Sequence, residues 1–222
     1  MKLRWEKKER GEWIFLVKVE KNDFVLLSFE ARSGDRVLEK TGKPVLAIAG
    51  SGRLVKALDD VLVGSEVGVQ LKADAGKAFG ERKSDLVKLI PLQRFREQGI
   101  DPVVGMVVEL DGVPARVQSA SGGRVRVDFN HELAGLDVGY SFKVEKAFKT
   151  LGEKTEAVFS QVLPGVSHSV ENGVVKASAS TKALMTQGFL QAKARALEFL
   201  LSDASGAKKV VFEEEFEKPA LN

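Results

Sequence analysis

The sequence predicts an α+β protein, and three observations carry that prediction. Runs rich in aromatic and β-branched residues, separated by Gly-, Pro- and Asp-containing breaks, dominate residues 13–148 and read as strands. One stretch among them, RLVKALDDVLVG, instead spaces its apolar residues three and four apart, the period of a helix. Beyond residue 148 the character changes, and an alanine- and leucine-rich run reads as a long helix flanked by strands. With 222 residues, 44% of them hydrophobic, the chain has room for two or three parts with real cores.

From Trp13 to Ala31, WIFLVKVEKNDFVLLSFEA is broken by KND and makes two strands or one bent one, and ARSGDR is a turn. Residues 37–49, VLEKTGKPVLAIA, are short strands around a Gly-Lys-Pro break, because proline drives the residue before it away from helix. Leu54, Val55, Leu58 and Val61/Leu62 then mark the apolar face of a short helix over 53–62, ending at Gly64. EVGVQLKADA is a strand, and GKAFGER a glycine-flanked turn carrying Phe79. Between residues 84 and 130 the turn signals LDG and SGG separate alternating strands, a small β-rich module. GYSFKVEKAF, 139–148, sets Tyr140, Phe142 and Val144 against Ser141, Lys143 and Glu145, a half-buried strand. TLGEKTE reads as a polar linker, AVFSQVL as a short apolar piece and GVVKASAS as a strand. Thr181–Leu201 reads as one helix with a stripe of Met185, Phe189, Ala192, Ala196, Phe199 and Leu200, N-capped by Ser180 or Thr181; KKVVFEEEF closes as a strand.

Composition excludes several kinds of chemistry. Without cysteine there are no disulfides, thiol nucleophiles or cysteine zinc sites, which fits a reducing compartment. The N-terminus is charged through residue 12, and its apolar part, Trp13–Val17, is far too short for a signal-peptide core or a membrane span; a cytoplasmic chain with no membrane partner is expected. The two histidines lack ligand spacing, so no metal is expected; His168 sits among turn residues and reads as an exposed loop residue. Gly50 and Gly52 precede a helix, but the GxGxxG pattern is incomplete and no GK[ST] follows. Thirty-four basic against thirty-one acidic residues leave +3, with no strong basic excess. Arg116, Arg124 and Arg126 read as the solvated side of a strand backed by Val125, Val127 and Phe129, and no nucleic-acid partner is expected.

Two stretches are specific: KAFGERKSDLVKLIPLQRF at 77–95 and GMVVELDGVPARVQSASGGRVRVDFNHELAG at 105–135. They closely resemble FKBP-type peptidyl-prolyl isomerases of the SlyD kind, in which a β-rich insert-in-flap domain interrupts the FKBP domain. The resemblance continues in DFVLLSFEARSGDRVLEKT (23–41), IAGSGRLVKALDDVLVGSEVG (48–68) and GYSFKVEKAF (139–148), covering residues 20–148 in family order. The C-terminal segment resembles that of longer archaeal members. The likeness implies an antiparallel sheet wrapped on the short helix, with the FKBP-like domain at 1–82 plus 131–148, the insert at 83–130 and a C-terminal α/β domain at 149–222. His131 then marks the junction where the insert rejoins its host.

The family's active site is a shallow apolar pocket, and the resemblance maps it residue by residue. Phe29 stands for the usual first-strand tyrosine, Leu38 and Glu39 for the apolar–aspartate pair, and Val45 for the residue after the bulge. Leu54 and Val55 open the helix, with the Val55 N–H expected to receive a substrate carbonyl. Leu58 replaces the floor aromatic, Phe79 the flap tyrosine, and Phe142 is retained. Taken singly, each apolar position reads as an ordinary core residue. The implied activity, isomerisation of X–Pro bonds, needs no acid, base, metal or cofactor.

For the insert, the resemblance implies binding of unfolded, proline-containing polypeptide clients. Its apolar candidates are Leu86, Leu89, Ile90, Phe95, Ile100 and Met106, several of which must fill the module's own core. The C-terminal helix is expected to pack as core, with a homodimer seam as a further role. Leu38, Leu58 and Phe79 keep a second reading open: a client-binding holdase with weak or no isomerase activity.

Overall fold

A computed structural model describes residues 4–7 and 13–214. The chain divides into two compact units, Met1–Ala75 with Gly139–Asn222, and Gly76–Val138. The expected α+β class holds: a sheet-rich fold, mostly antiparallel, with few, short helices.

In the first unit, β1 (Arg4–Lys7) pairs with β2 (Trp13–Leu16). The spine is β3 (Phe24–Ser33) against β11 (Gly139–Phe148), both long because neither carries proline or an internal glycine. The far edge of β3 is used twice, by β5 (Val45–Ile48) along Phe24–Leu27 and by β4 (Arg36–Lys40) along Glu30–Ser33, while β6 (Gln70–Asp74) pairs with the other edge of β11. Alternation splits the spine into two apolar faces. Leu27, Ala31, Tyr140, Phe142 and Val144 are buried on one of them, and Leu58 and Leu62 of α1 (Lys56–Leu62), beside β6, are buried too. The helix is one turn shorter than expected: Leu54 and Val55 lie in the chain leading to it rather than on its face, and Val61 is exposed.

On the opposite face Phe24, Leu46, Ile48 and Phe148 share a single core with the C-terminal elements. The supposed linker TLGEKTE is in fact the start of α3 (Leu151–Gln161), opened by a capping box in which Thr150 accepts the Glu153 N–H and Glu153 accepts that of Thr150. Its polar residues misled because Lys154 and Thr155 point inward. Lys154 Nζ donates to Asn22 O at 2.9 Å and Ala204 O at 2.6 Å, which binds the C-terminal lobe to the turn before β3; burial lowers its pKa. The strands β12 (Val166–Glu171), β13 (Val174–Ala179) and β14 (Lys209–Glu214) form a sheet in that order, β14 parallel to β13. Residues 215 and 216 of the expected closing strand lie outside the described residues.

The single C-terminal helix is two: α4 (Thr181–Leu184) and α5 (Phe189–Leu200), parted at Gly188, whose φ of +81° belongs to the left-handed region and ends helical continuity. Phe189, Ala196, Phe199 and Leu200 are buried as expected, whereas Met185, stranded beyond the break, is 83% exposed. Ser180 is the N-cap of α4, without a side-chain capping bond. His168 is not in a loop but on β12, stacked on Phe159 at 4.8 Å with Nε2 3.2 Å from Glu156.

The second unit is a four-stranded antiparallel sheet, β7 (Val87–Pro91), β10 (Arg124–Asp128), β9 (Val113–Ser121) and β8 (Val107–Leu110) in that order. α2 (Leu92–Arg96) adds Phe95 to a core of Ile90, Val108, Leu110, Ala115, Val117, Val125 and Val127. Arg124 and Arg126 alternate outward, and Phe129 packs partly buried against that core.

Candidate active site

Phe142 and Phe29 stand opposite each other in the β11–β3 ladder, Phe142 fully buried and Phe29 half-buried. The Phe29 backbone is locked on both sides by Thr41: its N–H donates to Thr41 Oγ1 at 3.0 Å, and its carbonyl accepts the Thr41 N–H at 3.0 Å. This clamp returns the chain from β4 beside Phe29. The β3–β4 register skips one residue of β4, Leu38, between the pairs Ala31–Glu39 and Arg32–Val37. In a regular strand Leu38 and Glu39 would face opposite sides; a bulge at Leu38 frees it from that alternation.

One row further along, Ala31 is the partner of both Tyr140 on β11 and Glu39 on β4, and Ala73 on β6 faces Tyr140 from the other side. Two methyl groups therefore leave room for the phenol ring, which lies 6.1 Å from Phe29 at 59°. Burial, and then the Glu39 carboxylate nearby, push the Tyr140 pKa above that of an ordinary phenol. Tyr140 is the chain's one tyrosine, and its alternation pattern marks it only as a strand residue.

The loop before α1 is held by Asp59. Its buried carboxylate reaches back to accept the N–H of Gly50 at 2.7 Å and of Gly52 at 2.8 Å, both glycines having positive φ. The glycine amides that resemble a phosphate loop are thus occupied from within the chain. Val55 is the N-cap of α1, with half-buried side chain, and among the described residues its N–H donates no intrachain hydrogen bond. Leu58 is buried, and Val45, opposite Leu27 at the start of β5, is 38% exposed.

Phe79 belongs to the second unit, where it stacks on His131 with centroids 4.6 Å apart and planes at 8°. His131 Nδ1 accepts the Leu133 N–H at 3.1 Å, so the imidazole braces a turn. Close by in sequence, Asp128 gathers the Asn130 N–H at 2.9 Å, the Asn130 amide at 2.7 Å, the Gln118 amide at 2.8 Å and the Arg82 guanidinium. Asn130 also exchanges two hydrogen bonds with the Lys83 backbone. Burial would raise the Asp128 pKa, but the Asn130 and Arg82 contacts outweigh it and hold the carboxyl below its usual range.

Of the six expected client contacts, Leu89 is 62% and Met106 40% exposed. Ile90 and Phe95 are instead the module's core, and Leu86 and Ile100 are half-buried, Ile100 packed on that core. Val103, Val104, Val107 and Val113, which are not among the expected contacts, are exposed.

Residues 88–133 match the family model for the FKBP26 IF domain. The chain is 30% identical over 162 residues to the FKBP-type peptidyl-prolyl cis-trans isomerase SlyD of Haemophilus influenzae, covering 68% of this chain and 80% of the relative. It is 32% identical over 108 residues to the short-type peptidyl-prolyl cis-trans isomerase of Methanocaldococcus jannaschii (48% of this chain, 69% of the relative). The FKBP-type 16 kDa peptidyl-prolyl cis-trans isomerase of Escherichia coli is 31% identical over 139 residues (57% and 91%).

The chain belongs to the FKBP-type peptidyl-prolyl cis-trans isomerases.

In this FKBP-type chain the positions mapped by resemblance lie mostly on one unit: Phe29, Leu38, Glu39, Val45, Leu54, Val55, Leu58 and Phe142, with Phe79 on the other. Three polar anchors, Asp59, Asp128 and Lys154, escaped sequence reading. A capping-box pattern marked the helix that carries Lys154, but nothing local marks the partners of Asp59 or Asp128, which are recognised only once the loops fold onto them.

Proposed function

We propose that the protein isomerises X–Pro bonds of polypeptide clients at the Phe29–Phe142 face while the insert holds the unfolded chain. The observation that carries the site is the aromatic wall of Phe142, Phe29 and Tyr140 bordered by Glu39, with the free amide of Val55 ahead of α1. The peptide bond resists rotation by about 18–20 kcal/mol because twisting removes its resonance, and X–Pro bonds relax over tens of seconds. A dry pocket that binds the twisted, non-conjugated amide better than either planar isomer lowers that barrier. Lowering it by roughly 4–5 kcal/mol gives about three orders of magnitude. Aromatic walls exclude water from the proline ring, and one fixed donor holds the carbonyl; no proton moves.

In this reading residues 1–82 with 131–148 form the catalytic domain, 83–130 the client-binding domain and 149–222 a C-terminal α/β lobe sharing the catalytic sheet's core. The exposed residues Leu89, Val103, Val104, Met106 and Val107 offer apolar contacts to an unfolded chain. Holding the client raises the local concentration of its prolines. Dimerisation has Met185, Leu190 and Leu201 as exposed apolar candidates, and light scattering decides it.

Refolding of a protein limited by proline isomerisation tests the reading. Acceleration of the slow phase by the wild type, lost in Phe29→Ala with Glu39→Ala, is the expected result. Delayed refolding without acceleration would leave the holdase reading, which the hydroxyl-free Phe79 favours.

A further inference from the structure

The first unit carries a cleft of about 400 Å³ that shares only Val45 with the mapped isomerase positions. Val45 and Leu46 of β5 form one wall, Gln161 at the end of α3 a second, and Gln191, Ala192 and Arg195 of α5 the third. We propose that this cleft binds the stretch of client flanking the proline, as an extended strand bearing an acidic side chain. The proposal rests on the isomerase reading, because Val45 belongs to both sites.

Geometry selects an extended chain. Successive strand residues point to opposite faces, so a cleft touching both Val45 and Leu46 wraps the edge of β5 rather than lying on one face. That edge has no strand on it: among the described residues β5 pairs with β3 alone. Val45 at its start is 38% exposed while Leu46, Ala47 and Ile48 are buried, so a client backbone meets this unpaired edge at Val45, in the way that extended peptides add to sheets. The Gln161 and Gln191 amides each donate and accept, which suits further backbone groups. The volume falls within the roughly 300–1,000 Å³ of sites that enclose small ligands.

Charge selects an acidic side chain. No carboxylate lines the cleft, and Arg195, exposed at its rim, has no acidic partner among the described residues. Its neighbours on α5 are matched: Glu198 with Arg53 at 3.9 Å and Lys193 with Glu214 at 2.5 Å. Arg195 is therefore an unneutralised guanidinium beside an apolar wall, where a carboxylate is bound in a forked geometry.

The test uses the full-length protein and fluorescent proline peptides of about ten residues that differ only in an Asp-Glu or Lys-Lys pair two to five positions from the proline. Anisotropy reads binding, and exchange NMR reads isomerisation of the same peptides and of a proline tetrapeptide too short to span the cleft. The acidic peptide is expected to bind about fivefold tighter, as an exposed ion pair allows. That ratio is expected to fall to about one or invert in Arg195→Glu, and the acidic peptide to weaken in Ala192→Trp, which fills the cleft. Equal binding of the two peptides by the wild type, or a ratio untouched by Arg195→Glu, overturns the proposal. An unisomerised tetrapeptide with the acidic preference intact would instead sink the prolyl-pocket reading and leave the cleft standing.

Discussion

Asp59 of α1 and Gly52 of the preceding loop are joined by a 2.8 Å hydrogen bond, and the other carboxylate oxygen holds Gly50 at 2.7 Å. This side chain sets the path by which Leu54 and Val55 approach the helix. Hydrogen bonds to a charged acceptor are worth about 1.5–3 kcal/mol each. Asp59→Ala is expected to lower unfolding free energy by about 2–4 kcal/mol in urea titration and to cut catalysis of proline-limited refolding in the fraction that stays folded. Asp59→Asn, which keeps one acceptor oxygen, is expected to fall between.

Tyr140 can be titrated alone, since no other tyrosine competes. Burial and then Glu39 raise its pKa, so its absorbance change near 295 nm is expected above the ordinary phenol value of about 10. Glu39→Gln removes the charge but not the burial. The transition should move down yet stay above the ordinary value; no movement would separate the two residues and break the row across Ala31.

Asp128 makes the second unit acid-sensitive. Its pKa is depressed in the folded state, so its contribution is complete above the unfolded carboxylate value of about 3.9 and is lost as pH falls through the lower folded value. Protection of the Val125 and Val127 amides, taken as the intrinsic exchange rate over the observed one, should fall over that window. Asp128→Asn should be less protected at neutral pH and flatter with acid.

Core and surface of the insert separate by mutation. Phe95 is fully buried, and Phe95→Ala is expected to cost about 3–5 kcal/mol. Leu89→Ser with Met106→Ser should leave thermal unfolding within about 1 kcal/mol of wild type and weaken the capture of an unfolded, permanently reduced client. Unaltered capture would move the client surface elsewhere.

The capping box opening α3 offers a local check. Thr150→Ala should cost about 1 kcal/mol in urea denaturation, because it strands the Glu153 N–H.

Strand alternation, glycine and proline breaks and the change of texture after residue 148 were enough to read an α+β chain, and the motifs at 77–95 and 105–135 enough to name its resemblance. These are local quantities: a period of two, a forbidden φ, a missing N–H. They state that a residue is apolar on one face, not which neighbour covers that face. Leu89 and Ile90 are adjacent and equally apolar, yet Ile90 is core and Leu89 lies open, because β10 pairs beside them while α2 contributes a core residue, Phe95. TLGEKTE looked like a linker because the groups that accept the Lys154 ammonium, Asn22 O and Ala204 O, lie 132 and 50 residues away. The chain alone determined its fold class, most of its strands and its resemblance to the family. Tertiary structure decided which apolar residues are buried and which lie exposed, and which carboxylates are anchors, since burial and charge pairing are properties of contacts between distant segments.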